Sequence, residues 1–185
     1  MKKKFLLGTT AAVVLAAGTF GAVSANASSA PQAAPAAAPA AAVAKADAEN
    51  DNLRQTTHLT IDAATKAAQA SLKAAEKENQ RVSVAVVDRN GNTIVTLRGD
   101  GAGPQSYESA VKKAYTAVSW NAPTSVLVGR LANTPTLKDI PGTLFLAGGA
   151  PVTADGGPIA GIGVAGAPSG DLDEKFAQAG VASLN

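Results

Sequence analysis

The residue types that do chemistry are scarce in this chain, and their spacing excludes more than it offers. There is no cysteine and a single histidine, His58. That removes disulfides, Cys-ligated zinc, iron–sulfur clusters and CxxCH haem attachment, and it removes HExxH zinc sites and two-histidine facial triads. A Ser–His–Asp triad would have to use His58, at a junction where nothing rigid would hold a catalytic base. Gly166-Ala-Pro-Ser169-Gly170 has the wrong spacing for the GxSxG elbow of hydrolases, and no GxxxxGK[ST] phosphate loop is present. Gly161-Ile-Gly163-Val-Ala-Gly166 matches GxGxxG in letters. A dinucleotide site needs a helix to open inside that motif, and Pro168 prevents it, so these glycines are expected to serve close backbone packing in a strand.

A few donors remain. His58 is the strongest nitrogen donor, either an axial ligand for a metal or haem or an exposed junction residue. Tyr107 and Tyr115 are oxygen donors suited to ferric haem, or else packing residues of a small apolar helix. Trp120, beside Asn121 and Pro123, can line an apolar ligand groove or an oligomer interface.

The elements that must position these groups follow from the pattern. Lys2, Lys3 and Lys4, the apolar run from Phe5 and Ala25-Asn26-Ala27 make residues 1–27 a secretory signal peptide with an A-x-A site, too short in its apolar part for a membrane span. Without its three lysines, 16 Lys+Arg becomes 13 against 14 Asp+Glu, so the secreted form is near neutral and has no electrostatic footprint for nucleic acid. Residues 28–52, with Pro31, Pro35 and Pro39 among alanines, read as a disordered tether. Residues 53–185 then form one domain, large enough for a single core.

Within it, Thr60 caps a helix running to about Asn79, with Ile61, Ala64, Thr65, Ala68, Leu72 and Ala75 in one stripe. Val82–Asp88 and Asn92–Arg98 are strands of a hairpin whose Asn90-Gly91 suggests a type I′ turn. Helices follow at Ser106–Val118 and Thr124–Ala132, then short strands at Leu144–Ala147, Pro151–Thr153 and Pro158–Ala165. A last helix begins near Asp171, where Glu174 completes a capping box. The expected fold is α+β in the order α-β-β-α-α-β-β-β-α: a mostly antiparallel sheet of about five strands with helices packed on its faces. Alanine-rich helices, few aromatics and no disulfides argue for stabilisation by self-association beyond a dimer.

Several stretches, in order, resemble the GlcG/HbpS family: Val84-Ala-Val-Val-Asp88-Arg-Asn-Gly91, Ser106 to Ala117 ending Lys113-Ala-Tyr-Thr116-Ala117, Pro141-Gly142 to Gly149-Ala-Pro-Val152, and Gly161 to Gly166. The resemblance covers residues 59–184. Gly101 to Ser109 and the secretion signal look most like the secreted haem-binding HbpS-like proteins of actinobacteria. It implies an octamer that binds haem and iron, outside the cell or at its wall, as a redox-responsive accessory of a membrane sensor histidine kinase. Haem degradation and cobalamin binding are the alternatives within the family, and a purely structural oligomeric module is a third reading. The resemblance also implies a threonine near the haem, which matches Thr116, with Tyr115 beside it. Relatives close to HbpS carry Glu-x-x-Glu on the first helix as a cation site, and here the aligned residues are Lys73 and Glu76. An ammonium in the first carboxylate position repels Fe³⁺ and can pair with Glu76, while Glu78 points roughly 200° away from Glu76 around the helix. Glu76 is therefore expected to bind iron weakly, with Asp171 and Glu174 acting as helix caps.

Overall fold

The computed structural model describes residues 47–185, so the expected signal peptide and most of the tether lie outside the described residues. The elements are α1 (Ile61–Lys77), β1 (Ser83–Asp88), β2 (Thr93–Arg98), α2 (Pro104–Trp120), α3 (Thr124–Arg130), β3 (Gly149–Ala154), β4 (Gly157–Ala165) and α4 (Gly170–Ala182). One sheet runs β2-β1-β4-β3, every neighbouring pair antiparallel. The α+β class and the antiparallel sheet agree with the expectation; the strand count is four.

The missing strand is Leu144–Ala147, and the reason is where its backbone donors go. Leu144 N–H donates to Thr116 Oγ1 at 2.8 Å, and Leu146 N–H turns back to the carbonyl of Leu144. These two donors are lost to a strand ladder, and the segment lies as a strap across α2.

Side-chain alternation divides the sheet. Val82, Val84, Val86, Ile162 and Val164 meet Ala64, Ala67, Ala68 and Ala75 of α1 and Phe176 and Ala177 of α4 in the larger cluster. On the opposite face, Ala85 and Ala165 meet Ala110, and Val87 meets Ala114 and Val118 of α2. Two glycines of the expected strand set this second contact. A Cβ on Gly163 would collide with the Ala110 carbonyl oxygen, and one on Gly161 with that of Ala114. The glycines sit inside β4, as the sequence implied, with α2 lying almost on the strand backbone.

The ends of the elements refine the expectation. Helix α1 stops two residues early in a Schellman arrangement: Asn79 at φ 57°, its N–H on Glu76 O, and Gln80 N–H on Ala75 O. The β1–β2 hairpin forms, but its turn is not type I′, because only Gly91 has positive φ, at 89°. Gly91 N–H bonds to Asp88 O and β1 slips register at Val86/Val87, giving a three-residue loop whose last residue is left-handed. Asp88 explains the choice: its Oδ1 accepts the N–H groups of Asn90 and Asn92, each at 2.8 Å, locking the longer loop. At α4, Ser169 is the cap, accepting Leu172 N–H, and the Asp171/Glu174 capping box does not form.

Candidate functional site

Helix α2 covers β1 and β4 through Ala110, Ala114 and Val118 and leaves β2, an edge strand, largely open on this face. Between α2 and β2 lies a groove of about 330 Å³ lined by Thr93, Thr96, Tyr107, Glu108, Val111 and Lys112. Its position is dictated by registers already given. Thr96 pairs with Ala85 and Thr93 with Val87, so both threonines point to the α2 side. Tyr107, Val111 and Tyr115 follow at i, i+4 and i+8 along the flank of α2 that turns towards them. The groove's volume is at the lower end for small-molecule sites, roughly 300–1,000 Å³.

Tyr107 is 47% exposed on this groove. Tyr115 is partly buried one stage further along, its ring against Gly91 of the hairpin and Gly142 of the strap. A Cβ on Gly91 would come within 2.8 Å of Tyr115 Cε2, so glycine there serves both the left-handed turn and the tyrosine. Thr116 points elsewhere. It is fully buried, its hydroxyl donates to Lys112 O at 2.7 Å and accepts from Leu144 N–H at 2.8 Å. In this conformation Thr116 clamps the strap, and it reaches a ligand only if Leu144 lets go. Trp120 stacks edge-on against Phe145 of the same strap, with centroids 5.2 Å apart.

His58 is exposed, with Nε2 2.7 Å from Thr56 Oγ1, and does not line the groove. Its charge reaches the hairpin instead. Burial alone would raise the Asp88 carboxyl, but hydrogen bonds from Asn92 and Asn90, helped by the charge of His58, hold it below the usual value. Glu76 lies on another face, in a polar groove with Asn79, Gln80, Arg81 and Asp100. The expected pairing with Lys73 does not form: among the described residues the ion pairs are Lys113–Asp173 and Lys175–Glu78. Lys175 reaches from α4 to Glu78 at the end of α1, at 2.6 Å. Among the described residues no group of three or more His, Cys, Asp or Glu side chains gathers around a common point.

The largest polar feature went unread in the sequence. Lys113 is 1% exposed, and its Nζ bonds Asp173 Oδ2 at 2.7 Å and Val164 O at 3.0 Å. Asp173 Oδ1 accepts from Ala167 N–H. Burial pushes the Asp173 carboxyl up, more than Lys113 and these amides bring it down. Glu174, expected as a cap of its own helix, instead reaches α3: its carboxylate accepts from Ser125 N–H at 2.9 Å, from Ser125 Oγ at 2.5 Å and from Gly148 N–H at 3.4 Å. It caps another helix's N-terminus, where a carboxylate also meets the favourable end of the dipole. One sequence signal was there: Lys113 sits with Ala110, Ala114 and Ala117 on the buried stripe of α2, a lysine where the period demands an apolar residue.

A four-stranded antiparallel sheet with helices on both faces, and an apolar groove beside an edge strand with two tyrosines on its flank, define a small ligand-binding α+β domain. The HbpS-like family, described as haem degrading protein HbpS-like, matches residues 59–182, and the chain belongs to it. A double glutamate-to-aspartate variant of HbpS from Streptomyces reticuli is 72% identical, covering 78% of this chain and 99% of that one with a TM-score of 0.77. A haem complex of PduOC is 28% identical, covering 70% and 96%, with a TM-score of 0.64. The ORFY protein of Klebsiella pneumoniae is 27% identical, covering 75% and 97%, with a TM-score of 0.68.

Proposed function

We propose that this chain is a haem-binding protein of the cell exterior, which holds haem in the groove between α2 and β2 and serves as an accessory of a membrane sensor kinase. The observation that carries the binding reading is the groove itself. Val111, with Thr93 and Thr96 on the strand side, offers a largely apolar wall for a flat macrocycle, and Tyr107 lines the same groove as an oxygen donor for ferric iron. The residues present therefore fit haem. Its chemistry, once bound, is redox change at iron. The chain's own part is to bury one face of the ring, to present Tyr107, and to hold Tyr115 and the strap in place through Gly91, Gly142 and Thr116. The similarity to a protein crystallised with haem supports the same ligand. The groove is open and covers only part of a porphyrin, so affinity rests on apolar contact and haem exchanges readily.

A titration of the ligand-free protein with haemin, followed at the Soret band, tests this. Val111→Glu, which puts a carboxylate on the apolar wall, is expected to abolish the spectral change, and Tyr107→Phe to alter the band shape. An unchanged titration in Val111→Glu removes the groove from consideration. The family description favours a second reading, haem degradation. Loss of the Soret band under a reductant, with a linear tetrapyrrole appearing, selects that reading, and a stable spectrum selects binding. The sensory role predicts that haem-loaded protein changes the autophosphorylation of a kinase carrying an extracellular sensor domain. Self-association into an octamer is part of the same proposal, and light scattering that reports a monomer at micromolar concentration removes it.

A further inference from the structure

One polar atom of a groove-lining residue has no explanation in the protein alone. Thr96 Oγ1 is shut off from solvent and has no hydrogen-bond partner. An enclosed hydroxyl left unpaired is destabilising, and a strand position tolerates valine as readily as threonine, so packing does not account for it. Thr96 lines the groove from the β2 side, and a step to another χ1 rotamer takes Oγ1 out of its enclosed position. Lys112 lies across the same groove, exposed and outside both ion pairs of the described residues. Glu108, one turn earlier on the same helix, is the groove's anionic group and opposes an incoming negative charge, which leaves Lys112 as the groove's cationic group for it.

From this arrangement we infer that Thr96 and Lys112 together receive a carboxylate of the ligand, so that the groove selects flat apolar molecules bearing an acidic side arm. The inference rests on the haem reading and deepens it. The apolar wall supplies contact area without orientation, and the hydroxyl and ammonium fix which edge of the ring enters. The hydroxyl donates its proton to the carboxylate and the ammonium balances its charge.

The test compares haemin with its dimethyl ester, which keeps the macrocycle and iron and lacks the free acids. Thr96→Val is expected to weaken haemin binding by roughly five- to tenfold and to leave ester binding unchanged, while Thr96→Ser stays within about twofold of the parent for both. Lys112→Met is expected to weaken haemin selectively and to flatten the salt dependence of its binding. Ligand-free Thr96→Val should melt no lower than the parent, because it loses an unpaired hydroxyl, and this separates the effect from misfolding. If Thr96→Val weakens acid and ester equally, or neither, the carboxylate role is overturned. Where Val111→Glu still abolishes haemin binding, that failure leaves the haem reading standing. Where Val111→Glu changes nothing, both fall.

Discussion

Thr116→Val separates a ligand from a clamp. The substitution keeps the β-branched shape and removes the hydroxyl, so the packing around α2 is nearly unchanged. What is lost is the acceptor for Leu144 N–H, a partly buried amide with no other partner in the strap. Leaving such a donor unpaired costs about 1–3 kcal/mol. The donated bond from Thr116 to Lys112 O is a back-bond within a helix whose carbonyl keeps its own ladder, and it adds little. For a domain of this size, about 2 kcal/mol corresponds to a fall in Tm of roughly 6–8 °C. Urea unfolding gives the free energy, and hydrogen exchange locates it: protection at Leu144 should drop while β1 and β4 keep theirs. Haemin binding, measured well below the melting point, should persist, because Tyr107 and Val111 are untouched. Thr116→Val with unchanged stability and a lost Soret band would show that the hydroxyl serves iron and not the strap.

Other perturbations follow from the same geometry. Lys113→Met strands the buried Asp173 carboxylate and is expected to cost about 3–5 kcal/mol in urea unfolding, whereas Lys113→Met with Asp173→Leu recovers most of it. The Asp88 carboxyl titrates lower folded than unfolded, so its contribution is complete above the ordinary aspartate range and is lost as pH falls through the lowered folded value. Stability profiles of the parent and Asp88→Asn should therefore converge in acid. Asp173 runs the other way: its raised value means the folded state holds the proton more tightly, so its contribution weakens as pH rises from the unfolded value through the folded one. Lys73→Glu restores the i, i+3 carboxylate pair with exposed Glu76 and should gain ferric-ion binding by calorimetry; tight binding in the parent, lost in Glu76→Ala, would contradict this.

What the sequence determined by itself was local. Thr60 caps α1, the alanine stripes choose the buried faces of α1 and α2, and the β-branched run before Asn90-Gly91 makes a hairpin, because each depends on neighbours within a few residues. The letters of GxGxxG could also be weighed against Pro168, and β4 carries those glycines under α2 as expected. Tertiary structure decided the rest. Leu144–Ala147 has strand-like residues, but its Leu144 amide goes to Thr116, which is far away in sequence, and its Leu146 amide turns back to Leu144. The hairpin turn lengthened because the Asp88 carboxylate had two amides in reach. Glu174 left its own helix end to cap α3, and Lys113 found its partner in Asp173 only when α2 and α4 were brought together at the C-terminal end of β4. The groove is likewise a product of assembly: nothing local marks Thr96, whose role follows from β2 being the strand that α2 does not cover. A side chain's periodicity tells which way it faces, and only the fold tells what stands there to meet it.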